Sequence, residues 1–331
     1  MSSSGLPPSP IYVFRGHSDS VNTLLFYNDN TRLISGDAEG NVTIWDIQSR
    51  RPMVRFKAHE NSILAVDVWK DKLLSHGRDN KIHIWDLNED FNQSPKLYKT
   101  VSTNSLGFCR LATCPKDEGD LLIAVPGSAD SATIDVKGVI QQNLFESIGI
   151  DDKESNGSCM ALKLFSYSVS PNQYLLMAAY ENAQVILWKL DEESHAVTQL
   201  WAVKEHNESV MGLDVSNDTK YAISVAGDNK IVKYRFKDSL NETPQVYSVS
   251  IKYPGIADVK IRSDGKIFAT AGWDAKIRVF SKSLKPLAIL SYHNESIYAL
   301  AFSTILSNED IDKHYLVGAG KDKRISLWEI Y

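Results

Sequence analysis

The chain has 331 residues, 43% of them apolar, enough to bury a large core in one domain. Lys plus Arg number 36 against 41 Asp plus Glu, a net charge of −5 that argues against non-specific binding to nucleic acid or membranes, both of which favour a basic face. The opening Met1–Pro8 carries no apolar leader and no stretch approaches the roughly 18–20 apolar residues of a membrane span, so no membrane contact is expected.

In chain order, residues 1–10 are rich in Ser and Pro and read as a disordered tail. Ile11-Tyr12-Val13-Phe14 reads as a short strand. Next come Gly16-His17, an apolar run from Val21, Ser35 before a turn, and Trp45-Asp46. The second unit is the clearest: His59, an apolar run from Ile63, then Leu73-Leu74-Ser75-His76-Gly77-Arg78-Asp79 and a strand in which Ile82 and Ile84 alternate with Lys81 and His83 before Trp85-Asp86. Taking the first apolar residue of each unit gives Val21, Ile63, Phe108, Cys159, Val210, Ile256 and Ile297, about 41 to 51 residues apart. The ends of the third strands give Trp45, Trp85, Ile134, Trp188, Tyr234, Phe280 and Trp328, and the two series stay in phase. Units of roughly 40–45 residues ending in Trp-Asp resemble WD40 repeats, each a four-stranded blade of a β-propeller.

The expected fold is therefore all-β: one domain over 1–331, with seven WD40 blades over 11–331. The chain as given stops just past Trp328, in the third strand of the last blade. That blade needs an outer strand, and Ile11–Phe14 is expected to supply it by pairing near Ile325–Trp328, which would close the ring.

Within a unit, His59, Ser75, Asp79 and Trp85 can form a relay from carboxylate to imidazole to hydroxyl to indole N–H. The first unit repeats it as His17, Ser35 and Trp45 with Glu39 as the acid. The fifth has His206, Ser224 and Asp228 with Tyr234 in place of Trp, and the seventh has His293, Asp322 and Trp328 with Gly318 where the hydroxyl should be. Units three, four and six lack the His and are expected to be more compliant.

Recurrence at one repeat position suits a structural relay better than a single catalytic site. Histidines at helical zinc spacing, a phosphate loop and a Gly-x-Ser-x-Gly elbow are all missing, and Cys109, Cys114 and Cys159 are too few for a zinc or disulfide framework. No enzymatic activity, cofactor or metal is expected, which leaves binding. The residue before each turn acid faces the same end as the relay His, and Arg78, Trp273 and Lys321 are the expected partner contacts there. Two polar acidic insertions, 147–158 and 303–314, read as solvated loops.

Leu74–Asp79 with Ile82–Trp85, Ala271–Phe280 with Pro286-Leu287-Ala288, and the ending Gly320–Tyr331 resemble the ASTRA-associated protein 1 family and its animal relatives, the guanine-nucleotide-binding-protein β-subunit-like WD proteins. The resemblance spans nearly the whole chain and is weakest from about Lys116 to Asn172. It implies a non-enzymatic, monomeric scaffold subunit of the ASTRA assembly, nuclear with a cytoplasmic pool, involved in chromatin remodelling. The implied partners are RuvB-like ATPases, the cochaperone of phosphatidylinositol-3-kinase-related kinases and those kinases. Two other readings are a reader of modified peptide tails and a ubiquitin-ligase substrate receptor. The receptor reading lacks the usual Trp-Asp-x-Arg, since the chain has Trp45-Asp46-Ile47-Gln48 and Trp85-Asp86-Leu87-Asn88.

Overall fold

In the computed structural model the described residues are 8–87, 93–103, 107–116, 119–128, 130–140, 144–149, 156–166, 172–305 and 314–330. Most of the two acidic insertions and all but the last three residues of the expected tail lie outside them. The described residues form 28 strands in seven four-stranded antiparallel sheets. Six sheets are meanders of consecutive strands. The seventh has the order β1 (Tyr12–Arg15), β28 (Arg324–Ile330), β27 (His314–Gly320), β26 (Ile297–Phe302).

The amino-terminal strand thus completes the last blade in the expected register, with Tyr12 opposite Leu327 and Phe14 opposite Ile325. Ile11 N–H adds a bond of 2.8 Å to the Leu327 carbonyl. Phe14 is 1% exposed and packs edge-on to Tyr12 and against Trp45, so closure is apolar as well as hydrogen-bonded.

The inner strands are β2 (Val21–Tyr27), β6 (Ile63–Trp69), β10 (Ala112–Pro115), β14 (Cys159–Ser166), β18 (Val210–Val215), β22 (Ile256–Ile261) and β26. Seven buried apolar clusters lie one at each junction between neighbouring blades, including the junction of blades seven and one. Each blade is apolar on both faces because each face packs a neighbour, which is why second strands such as Leu121–Pro126 and Tyr221–Ala226 are buried throughout. In six blades the pairing of inner and second strand slips just after the first inner residue, as between Val21 and Thr23. Such bulges increase local twist.

Blade three departs from the expected alignment. Its first buried inner position is Cys109, 2% exposed, whereas Phe108 is 62% exposed. Ile134 opens the third strand, Ile134–Gly138, and Gly138 opposite Leu122 takes the place that Trp45 takes opposite Leu33. With no aromatic at that place, sequence reading slid to the nearest large apolar residue.

Candidate functional site

The relay forms in four blades. His59 bonds Asp79 through Nδ1 at 2.8 Å and the Ser75 hydroxyl through Nε2 at 2.8 Å, and Trp85 Nε1–H donates to that hydroxyl at 2.9 Å. Blade five repeats this through His206, Asp228, Ser224 and the Tyr234 hydroxyl.

Two relay members differ from expectation. In blade one the acid is Asp37, 2.9 Å from His17 Nδ1, while Glu39 accepts from the Ser18 hydroxyl. Asp37 ends its strand and is fully buried, so it reaches the imidazole without leaving the sheet. Ser35 and Trp45 take their expected places. In blade seven the hydroxyl comes from Ser326, 2.8 Å from His293 Nε2 and 2.8 Å from Trp328 Nε1, not from position 318. Ser326 faces Gly318 across the strand pair, where the Ile277 side chain leaves no room for a Cβ at 318, and Asp322 pairs with His293 as expected.

Burial lowers the pKa of His59 and His206 despite their carboxylate partners, so both relays favour neutral imidazoles. His17 and Ser35, and likewise His76 of blade two, sit in the interior. Burial pushes His76 down to about 3.

Around the relay end of the channel, two of the three expected contacts reach the mouth region. The Arg78 guanidinium lies 4.5 Å above the Phe108 ring. Trp273 is 44% exposed and lines the mouth together with Phe108. It also covers its neighbour: a Cβ at Gly255, where φ is +91°, would come within 2.1 Å of the indole, so glycine is required beneath it. Lys321 is exposed and pairs with Glu295 at 3.3 Å.

The channel itself is a cavity of about 980 Å³ lined by all seven inner strands. Arg110 crosses it. Its Nη1 lies 3.0 Å from Asp258, and its Nη2 donates to the carbonyls of Tyr298 at 2.6 Å and Asn22 at 3.0 Å, tying blade three to blades six, seven and one. Deeper in, Lys163 pairs with Asp214 at 2.8 Å and the Thr113 hydroxyl donates to Asp67. Burial raises the carboxyl of Asp67, and the Asp214 carboxylate raises the ammonium of Lys163.

Sequence reading missed this set, although a signal was present. Four residues after each inner start stand Leu25, Asp67, Thr113, Lys163, Asp214, Lys260 and Ala301, a ring that is polar and charged over five blades. Reading the repeats by column would have found it once Cys109 replaced Phe108 as the third start.

At this end Arg78 covers the Phe108 ring and Arg110 pairs with Asp258.

Seven four-stranded blades closed into a ring, three of them with Trp-centred relays, define a WD-repeat propeller. The family described as WD domain, G-beta repeat matches residues 8–46 and 245–281. Over 98% of its length the chain is 30% identical to ASTRA-associated protein 1 of Verticillium alfalfae, covering 93% of that protein. The same protein of Schizosaccharomyces pombe is 29% identical over 98% of the chain and 99% of its own length. Mouse guanine nucleotide-binding protein subunit beta-like protein 1 is 32% identical over 98% of the chain and 97% of its own length. The chain belongs to the ASTRA-associated protein 1 family.

Proposed function

We propose that the protein is a scaffold subunit of an ASTRA-type assembly and that the relay end of its channel, with Arg78, Phe108 and Trp273, is its principal docking rim. The observation that carries this reading is similarity over nearly full length to proteins named for association with ASTRA. The rim supports it physically. Arg and large aromatics are the side chains that contribute most at protein interfaces, and here Phe108 and Trp273 are exposed beside a half-buried Arg78, on a ring tied by relays and by Arg110. The family resemblance implies RuvB-like ATPases and the kinase-maturation cochaperone as partners, a nuclear location with a cytoplasmic pool, and a role in chromatin remodelling and kinase supply.

Affinity purification from the native cells at modest salt tests the reading. Wild type is compared with Arg78→Glu plus Trp273→Ala, and both proteins are checked for equal thermal melting. Wild type should recover the ATPases and the cochaperone, and the folded double variant should lose them. Their absence from the wild-type sample would overturn the assembly, and equal recovery by both would overturn the rim.

A further inference from the structure

Blade two carries a constellation that its relay does not use up. His83, on the third strand Lys81–Asp86, lies beside His59 with ring centroids 4.6 Å apart and planes tilted by 30°. One ligand atom from each of His59, Asp79 and His83 falls within 4.8 Å of the others. His83 Nδ1 is tied to the Thr100 hydroxyl at 2.8 Å, which fixes the ring and leaves Nε2 as its available donor atom. His83 and Asp79 are half-buried, so the group is reachable from solvent.

The repeats show what this strand position can do. His83 lies opposite Ser75, as Arg278 lies opposite Thr270 in blade six. There the Arg278 guanidinium grips both oxygens of the turn acid Asp274, at 2.9 and 2.5 Å. Blade two has the same turn acid but an imidazole at the cation's place. A second feature sets blade two apart. His59 Nε2 lies 3.0 Å from the Ser75 carbonyl oxygen as well as 2.8 Å from its hydroxyl, and a carbonyl can only accept. In the metal-free relay Nδ1–H donates to Asp79; when a cation takes that proton's place, Nε2 can carry the proton and donate it to the Ser75 carbonyl.

We infer that His59 Nδ1, Asp79 Oδ1 and His83 Nε2 form a site for a borderline divalent ion, zinc by ligand type, with a fourth position open to water. Two imidazoles and one carboxylate are an established donor set for zinc. Bonds of about 2.1 Å in tetrahedral geometry place donor atoms about 3.4 Å apart, so His59 and Asp79, 2.8 Å apart as a hydrogen-bonded pair, must separate slightly and His83 must rotate inward to complete the site. His59 keeps its overall charge as its proton moves from Nδ1 to Nε2, and the second oxygen of Asp79 keeps the Glu60 N–H. Occupancy would stiffen the turn that carries Arg78, and with it the rim.

The test is titration of the metal-stripped full chain with Zn²⁺ by calorimetry and with Co²⁺ by visible absorption. One equivalent should bind, Co²⁺ should show tetrahedral ligand-field bands, and zinc should raise the melting temperature. His83→Thr restores the residue type that blade one has at the corresponding position, Thr43, so it should fold and bind at least about tenfold more weakly. Thr100→Val should weaken binding about tenfold by freeing the ring, and His195→Ala should leave it unchanged. Absence of binding to wild type at micromolar metal, or equal binding by His83→Thr, would overturn the site.

Discussion

Blades one, two, five and seven carry the His relay, whereas three, four and six hold the same sheet by other means. In blade six the Arg278–Asp274 pair ties strand to turn, and the hydroxyl at the relay position, Thr270 Oγ1, is buried without a hydrogen-bond partner. In blade three Asp135 accepts from Ser128 and from the Ser147 N–H. Blade four has Ala178 at the hydroxyl position and instead the longest strands, eight to nine residues each. The repeat thus requires that strand and turn be tied together, and several polar devices, or simply more ladder, meet the requirement.

The sharpest break should come where a relay blade depends on both chain ends. Removal of residues 8–15 takes the outer strand from blade seven and should prevent recovery of folded monomer by size exclusion. Phe14→Ala alone should cost about 3–5 kcal/mol in chemical denaturation.

Next is a matched pair at one repeat position. Ser75→Ala strands His59 Nε2 and Trp85 Nε1 in the interior and should cost about 2–4 kcal/mol. Thr270→Val removes a hydroxyl that has no partner and should be neutral or stabilising. Equal costs would erase the distinction between the two kinds of blade. Arg278→Ala, which leaves Asp274 without its guanidinium, should cost about 1.5–3 kcal/mol and would show that the ion pair does the relay's work in blade six.

Acid should weaken blades two and five first, where the lowered imidazoles lie. His59, His76, His83 and His206 all have folded pKa values below the ordinary 6.5, so the unfolded chain binds more protons in that window. Their contribution is complete above about pH 6.5 and is lost as pH falls toward each folded value, at about 1.4 kcal/mol per pH unit for each group within its window. Denaturant midpoints from pH 7.5 to 4.5 should fall, and His76→Asn should flatten the slope by about one proton. The smallest effect belongs to Lys321→Ala, whose exposed pair with Glu295 should be worth less than about 1 kcal/mol.

Much of this was legible in the sequence because the repeat writes its structural residues in fixed columns. Blade number, closure by Ile11–Phe14 and the His, Asp and Trp of the relays follow from spacing and alternation. The acid of blade one and the hydroxyl of blade seven were not legible. Asp37 and Ser326 reach the imidazole from neighbouring backbone positions, and only coordinates reveal which side chain arrives. Blade three slipped because Gly138 stands where the aromatic should mark the column. The Arg110 strut joins blades far apart in sequence, so local pattern cannot show it. Trp273 is both exposed and packed over Gly255, and its role as a partner contact belongs to the proposal.

The docking rim is tested most directly by hydrogen exchange on the chain alone and within the assembly purified from its own cells. Exchange should slow in the segments around Arg78, Phe108 and Trp273, with the outer strands unchanged. Protection confined to the outer strands or to the opposite end of the channel, with these three segments unaffected, would contradict a scaffold that docks through its relay end.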